Sequence, residues 1–163
     1  LHLQLKNKFL GERTMSRSDT DLWFSFVRAH RSILKEIERR LAAEKLPPYA
    51  WYDVLWGLES GPEGTRRMHE LADRLVIERY NLTRLIDRLE AQGLVQRSRS
   101  SEDGRAAFAS ITDEGRALRK QMWQIYQSAV QELFLSAFSD QEQTQFAHGL
   151  DQAARQARQS SNT

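Results

Sequence analysis

Over positions 21–46 the apolar residues Trp23, Phe26, Val27, Ile33, Leu34, Ile37 and Leu41, with His30 in line, recur at steps of three and four. That spacing lays one stripe along one long helix. Asp19 or Asp21 is suited to cap its start, and Pro47-Pro48 are expected to end it. A second helix is predicted over 49–59, with Val54, Leu55 and Leu58 on one face and Gly61-Pro62-Glu63-Gly64 as its stop. Shorter helical patterns follow over 68–75 and 79–92. Gly93 then stands where a helix end calls for positive φ. Two short strands are read at 94–97 and 107–111, around the turn-forming Asp103-Gly104. The chain continues with helices over 112–135 and 140–159, the first striped by Leu118, Met122, Ile125 and Ala129.

The expected fold is therefore mainly α with a small β-hairpin, in the order ααααββαα. Three parts are read from it. Residues 1–18 are either an N-terminal arm or a non-native extension before Met15 and its neighbours. Residues 49–115 form a compact middle module. Residues 19–46 and 116–159 are long helices that a module of this size is poorly placed to cover. A second copy of the chain covers their stripes, so a homodimer is expected, with a monomeric helical bundle as the alternative.

Composition narrows this picture mostly by exclusion. With 24 Lys+Arg against 22 Asp+Glu the net charge is +2, so any case for a polyanionic partner rests on where the arginines sit. The chain has no cysteine, which removes disulfides, thiol redox switches and thiolate metal sites. No apolar run reaches the ~20 residues of a membrane helix, and residues 1–10 lack the long apolar core of a signal peptide. A cytoplasmic protein is expected, without a membrane partner. His2, His30, His69 and His148 are scattered, no nucleophile–base pair is found, and neither a metal, a cofactor nor catalysis is expected.

Helix, tight turn, helix and hairpin is the layout of a winged helix-turn-helix, whose second helix enters a major groove while the hairpin reaches the minor groove. The residues suit those tasks. Arg79, Tyr80, Asn81, Thr83 and Arg84 occupy the front of the second helix, with Arg88 a turn further on. Arginine offers a forked donor to guanine or phosphate, and asparagine pairs with adenine. Arg97, Arg99 and Arg105 lie on the hairpin, where a narrow minor groove attracts arginine. Asp103 is read as the carboxylate that orients Arg97 or Arg105 before DNA arrives. Taken singly, the helix arginines could equally be a solvated face.

The runs Leu71-Ala72-Asp73-Arg74-Leu75 and Leu82-Thr83-Arg84-Leu85-Ile86-Asp87-Arg88-Leu89-Glu90-Ala91-Gln92-Gly93-Leu94-Val95, with Asp103-Gly104-Arg105 and Ile111-Thr112-Asp113-Glu114-Gly115, resemble the MarR family of bacterial regulators. The likeness extends over roughly 21–159. It implies a two-fold dimer on double-stranded DNA with a pseudo-palindromic operator, acting as a repressor that a small aromatic or phenolic effector releases. It also implies a recognition helix over 79–92 and a wing over 97–105. The chain departs from the family pattern at Glu78, where a serine or threonine cap is common, and at Tyr80 and Asn81, which are bulkier than usual.

In that family the effector pocket lies between the dimer helices and the DNA-binding module. Carried over by position, the resemblance points to Trp23, Phe26, His30, Trp51 and Asp53; each aromatic could equally pack the helix junction, and His30 an interface. The alternatives in function are a ligand-independent regulator or activator, and a winged-helix module that binds protein.

Overall fold

The computed structural model describes residues 17–99 and 106–160. The first helix, α1 (Arg17–Ala43), starts earlier than its apolar stripe suggests, so Asp19 and Asp21 lie inside its span. The prolines do not end it. Lys45 takes a left-handed conformation (φ 58°), its N–H bonds the Ala42 carbonyl at 3.0 Å, and that of Leu46 bonds Leu41 at 2.9 Å. This hydrogen-bonded reversal closes α1 before Pro47, which only blocks a restart.

The same reversal recurs twice. After α2 (Tyr49–Glu59) and a 3₁₀ turn at Pro62–Gly64 come β1 (Thr65–Arg67) and α3 (Met68–Leu75). At the end of α3, Val76 is left-handed (φ 53°), with Ile77 N–H on the Ala72 carbonyl at 3.0 Å. After α4 (Arg79–Ala91) the left-handed position is Gly93 (φ 71°), with Leu94 N–H on the Leu89 carbonyl at 3.0 Å. Glycine adopts this conformation without strain, whereas β-branched Val76 does not.

The sheet has three strands rather than two. β2 (Val95–Arg99) and β3 (Ala107–Ile111) pair antiparallel as expected, but β1 adds to the other edge of β3, giving the order β1-β3-β2. Thr65 stands opposite Ser110, their hydroxyls 2.7 Å apart. The sheet ties the start of α3 to the base of the wing.

Two clusters of buried side chains follow. Val54, Leu55, Leu58, Leu71, Leu82, Ile86, Leu89 and Val95 join α2, α3, α4 and the sheet, with Trp51 and Met68 at the margin. Ile37, Leu41, Tyr52, Met122 and Ala129 join α1 and α2 to α5 (Asp113–Leu133). Among the described residues no polar or charged side chain is buried. Gly115, in the first turn of α5, is required by close approach. A Cβ there would strike the Leu94 carbonyl oxygen and stand 2.8 Å from Ile111 Cγ1.

The last helix, α6 (Asp140–Ser160), has no buried residue at all. At the other end of the chain Leu22, Trp23 and Phe24 are 65%, 56% and 53% exposed. No helix of the described residues is long and apolar enough to cross a membrane.

Candidate nucleic-acid interface

Leu82, Ile86 and Leu89 bury one face of α4. At 3.6 residues per turn, Tyr80 and Arg84 fall about half a turn away, at the centre of the outward face. Asn81 and Arg88 flank them on one side, Arg79 and Thr83 on the other; all six are exposed. Tyr80 is 70% exposed, and the Arg84 guanidinium carbon lies 5.8 Å from its ring centroid. The Thr83 hydroxyl donates to the Arg79 carbonyl at 2.9 Å, so its proton is directed into the helix. Among the described residues Arg79, Arg84 and Arg88 form no ion pair.

Arg97, at the base of the wing, is engaged within the protein. Its guanidinium pairs with Asp87, contacts Glu90 Oε2 at 3.3 Å and donates to the Thr83 carbonyl at 3.2 Å. Its own backbone N–H donates to Glu90 Oε1 at 2.9 Å. Arg97 therefore locks β2 onto α4 and neutralises two carboxylates. Spacing along the sequence hid this, because partners seven, ten and fourteen residues away meet only once β2 folds back along α4. Arg99 continues β2 as an exposed residue. Asp103 and Arg105 lie outside the described residues.

Two nitrogen-bearing side chains at this face escaped the sequence reading. Arg67 and His69, at the start of α3, line a cavity of about 400 Å³ with Arg79, Thr83 and Ala107. Arg67 also sits 5.4 Å above the Phe108 ring, which holds it against the sheet. The available signal was the basic pair immediately before a helix start. Its other member, Arg66, is structural. It donates to the Gly57 carbonyl at 2.6 Å and to that of Ser60 at 2.9 Å, satisfying the end of α2.

The five expected effector contacts do not converge on one place. Phe26 and His30 line an apolar cavity of about 600 Å³ between α1, α5 and α6, closed by Ile33, Tyr49, Tyr126 and Phe146. Trp23 is tilted against Phe26 with ring centroids 6.2 Å apart, but it does not line the cavity. Trp51 packs on the core of the middle module. Asp53 lies beside Tyr49 at the α2–α5 junction, where burial raises its carboxyl above the usual range although the Tyr49 hydroxyl pulls the other way. Burial likewise pushes the Tyr49 phenol up, and its hydroxyl stands 3.4 Å from that of Tyr126. Tyrosines on both α2 and α5 could not be placed from either helix alone.

Comparison with known proteins agrees with this geometry. A family model described as MarR family matches residues 47–106. The HTH-type transcriptional regulator TtmR of Methylorubrum extorquens is 36% identical over 98 residues, 60% of this chain; the chain spans only 45% of that relative's length. The HTH-type transcriptional regulator MhqR of Bacillus subtilis is 25% identical over 130 residues, 78% of this chain and 86% of that protein. Sco3205, a regulator from Streptomyces coelicolor crystallised with DNA, superposes with a TM-score of 0.81 at 26% identity. The match covers 87% of this chain and 89% of that one.

Proposed function

The chain belongs to the MarR family, and from that premise we propose that it is a homodimeric, sequence-specific DNA-binding repressor acting in the cytoplasm. The matching relatives named above are transcriptional regulators, not enzymes. The observation that carries the proposal is the outward face of α4. It presents Arg79, Arg84 and Arg88, while the carboxylates beside them are held by Arg97. A helix so charged is attracted to phosphate, and its front residues reach base edges.

Residues 49–115 read DNA, and residues 19–46 with 116–159 hold two copies together. Support for the dimer comes from α6, which buries nothing, and from the exposed Leu22, Trp23 and Phe24 on α1. Such apolar area is stable in water only when covered. In the dimer each α4 enters a major groove about 34–36 Å from its mate, and each wing, with Arg99 and Arg105, grips the adjacent minor groove.

Release by a small aromatic or phenolic effector has support in the 600 Å³ cavity, whose apolar wall carries the polar groups of His30, Tyr49 and Tyr126. A ligand there acts only through tighter binding to a dimer whose α4 spacing misses the groove. Trp23, which packs on Phe26, and Asp53, beside Tyr49, are assigned to transmitting that change, and Trp51 to the middle-module core that receives it.

Selection of bound duplexes from a random-sequence pool tests the proposal. Recovery of an inverted repeat with half-sites about 10–10.5 base pairs apart is expected. Recovery of no sequence above background would refute it.

A further inference from the structure

Tyr80 is an aromatic side chain left 70% exposed in the middle of the one helix face that carries the free arginines. Nothing in the core needs it, since Leu82, Ile86 and Leu89 fill the inner face. Its ring is not idle. Tyr80 and Arg84 are one helical turn apart, and the guanidinium lies within cation–π range of the ring, at 5.8 Å. The contact fixes the direction of a long side chain that would otherwise be free. Arg84 makes no ion pair among the described residues, so the edge of its fork remains available.

We propose that Tyr80 and Arg84 act as a single base-reading unit that selects a guanine next to a thymine in each half-site. This rests on the DNA-binding reading above and adds its specificity. An arginine fork donates two hydrogen bonds to guanine O6 and N7, the commonest specific contact in the major groove. An apolar ring edge packs on the thymine C5-methyl, the one apolar group that the groove displays. Ring and guanidinium, 5.8 Å apart on the same helix face, can each meet one of two neighbouring base pairs. The neighbours offer less. The Thr83 hydroxyl proton is directed to Arg79, and Arg97 is held by Asp87 and Glu90.

The test takes the full chain and the duplex that it selects from a random pool. The selected half-site should contain guanine beside thymine. Replacing that thymine by deoxyuridine removes only the methyl group and should weaken binding about four-fold, the value of one apolar carbon removed from water. Tyr80→Ala should bind both duplexes equally, whereas Tyr80→Phe, which keeps the ring, should retain the four-fold preference. Unchanged melting temperatures for both variants are expected, since the side chain is exposed.

If the wild type selects an operator without that step, the inference is overturned while DNA binding stands. The same holds if Tyr80→Ala keeps the methyl preference, or if Tyr80→Phe loses it and so assigns the effect to the hydroxyl. If the wild type selects no sequence, the DNA-binding reading fails and this inference fails with it.

Discussion

Arg97→Gln tests most sharply whether the wing is preset by the protein or shaped by DNA. The guanidinium makes two ion pairs, with Asp87 and Glu90, and one bond to the Thr83 carbonyl. Its side chain is 34% exposed and those of the carboxylates 56% and 39%, so solvent screens both pairs. Each is then worth about 0.2–1 kcal/mol, and the carbonyl bond about 1 kcal/mol. Removing the guanidinium should therefore lower folding stability by about 1.5–3 kcal/mol. The effect on DNA is different in kind. Asp87 and Glu90 would face phosphate uncompensated, and affinity at ~0.1 M salt should drop about ten-fold.

A cycle with Asp87→Asn, read by fluorescence anisotropy on a labelled duplex, separates the two roles. If Arg97 is a clamp, Asp87→Asn changes wild-type affinity by less than about two-fold. In the Arg97→Gln background it raises affinity about five-fold, because there it removes a bare carboxylate. If Arg97 itself grips DNA, the order reverses: Asp87→Asn frees it and helps the wild type more. That reversed coupling would refute the clamp.

Three further outcomes follow from single positions. Val76→Gly removes a β-branched residue from a left-handed position at an 81% exposed site, so stability should rise by about 1 kcal/mol and the melting temperature by about 2–4 °C at fixed protein concentration. Gly115→Ala drives a methyl into the Leu94 carbonyl and Ile111, and urea unfolding should show a loss of about 1–3 kcal/mol. Burial raises the Asp53 carboxyl, so the folded state binds its proton more tightly than the unfolded chain does. Wild-type stability should fall as pH rises from the ordinary carboxylate range through the raised value and then level off, by about 1.4 kcal/mol for each unit of displacement. Asp53→Asn should abolish that fall in melts taken across pH; an identical pH profile would show that the carboxyl is solvated.

The helix α4 was legible because its evidence is local. Leu82, Ile86 and Leu89 recur at helical spacing, Gly93 supplies the residue that its end requires, and the family resemblance runs through this segment. Elements defined by distant partners were not. β1 is three residues, Thr65-Arg66-Arg67, with no apolar alternation, and it exists only because β3 offers an open edge. The end of α1 was assigned to the conspicuous prolines, while the reversal at Lys45 carries no glycine to announce it. The effector residues were drawn from positions on α1 and α2 alone. The cavity also needs Tyr126 and Phe146, from helices that the chain reaches nearly a hundred residues later. Trp51 was open to both readings, pocket wall and helix packing, and it packs on the core of the middle module.

The claim beneath all of this is that two copies place their α4 helices in successive major grooves. Hydroxyl-radical footprinting on the selected duplex, with the mass of the complex measured by sedimentation, examines it directly. Two chains per duplex are expected, with protection on one face of the DNA repeating about one helical turn apart. One chain per duplex, or a single unrepeated protected patch, would contradict it.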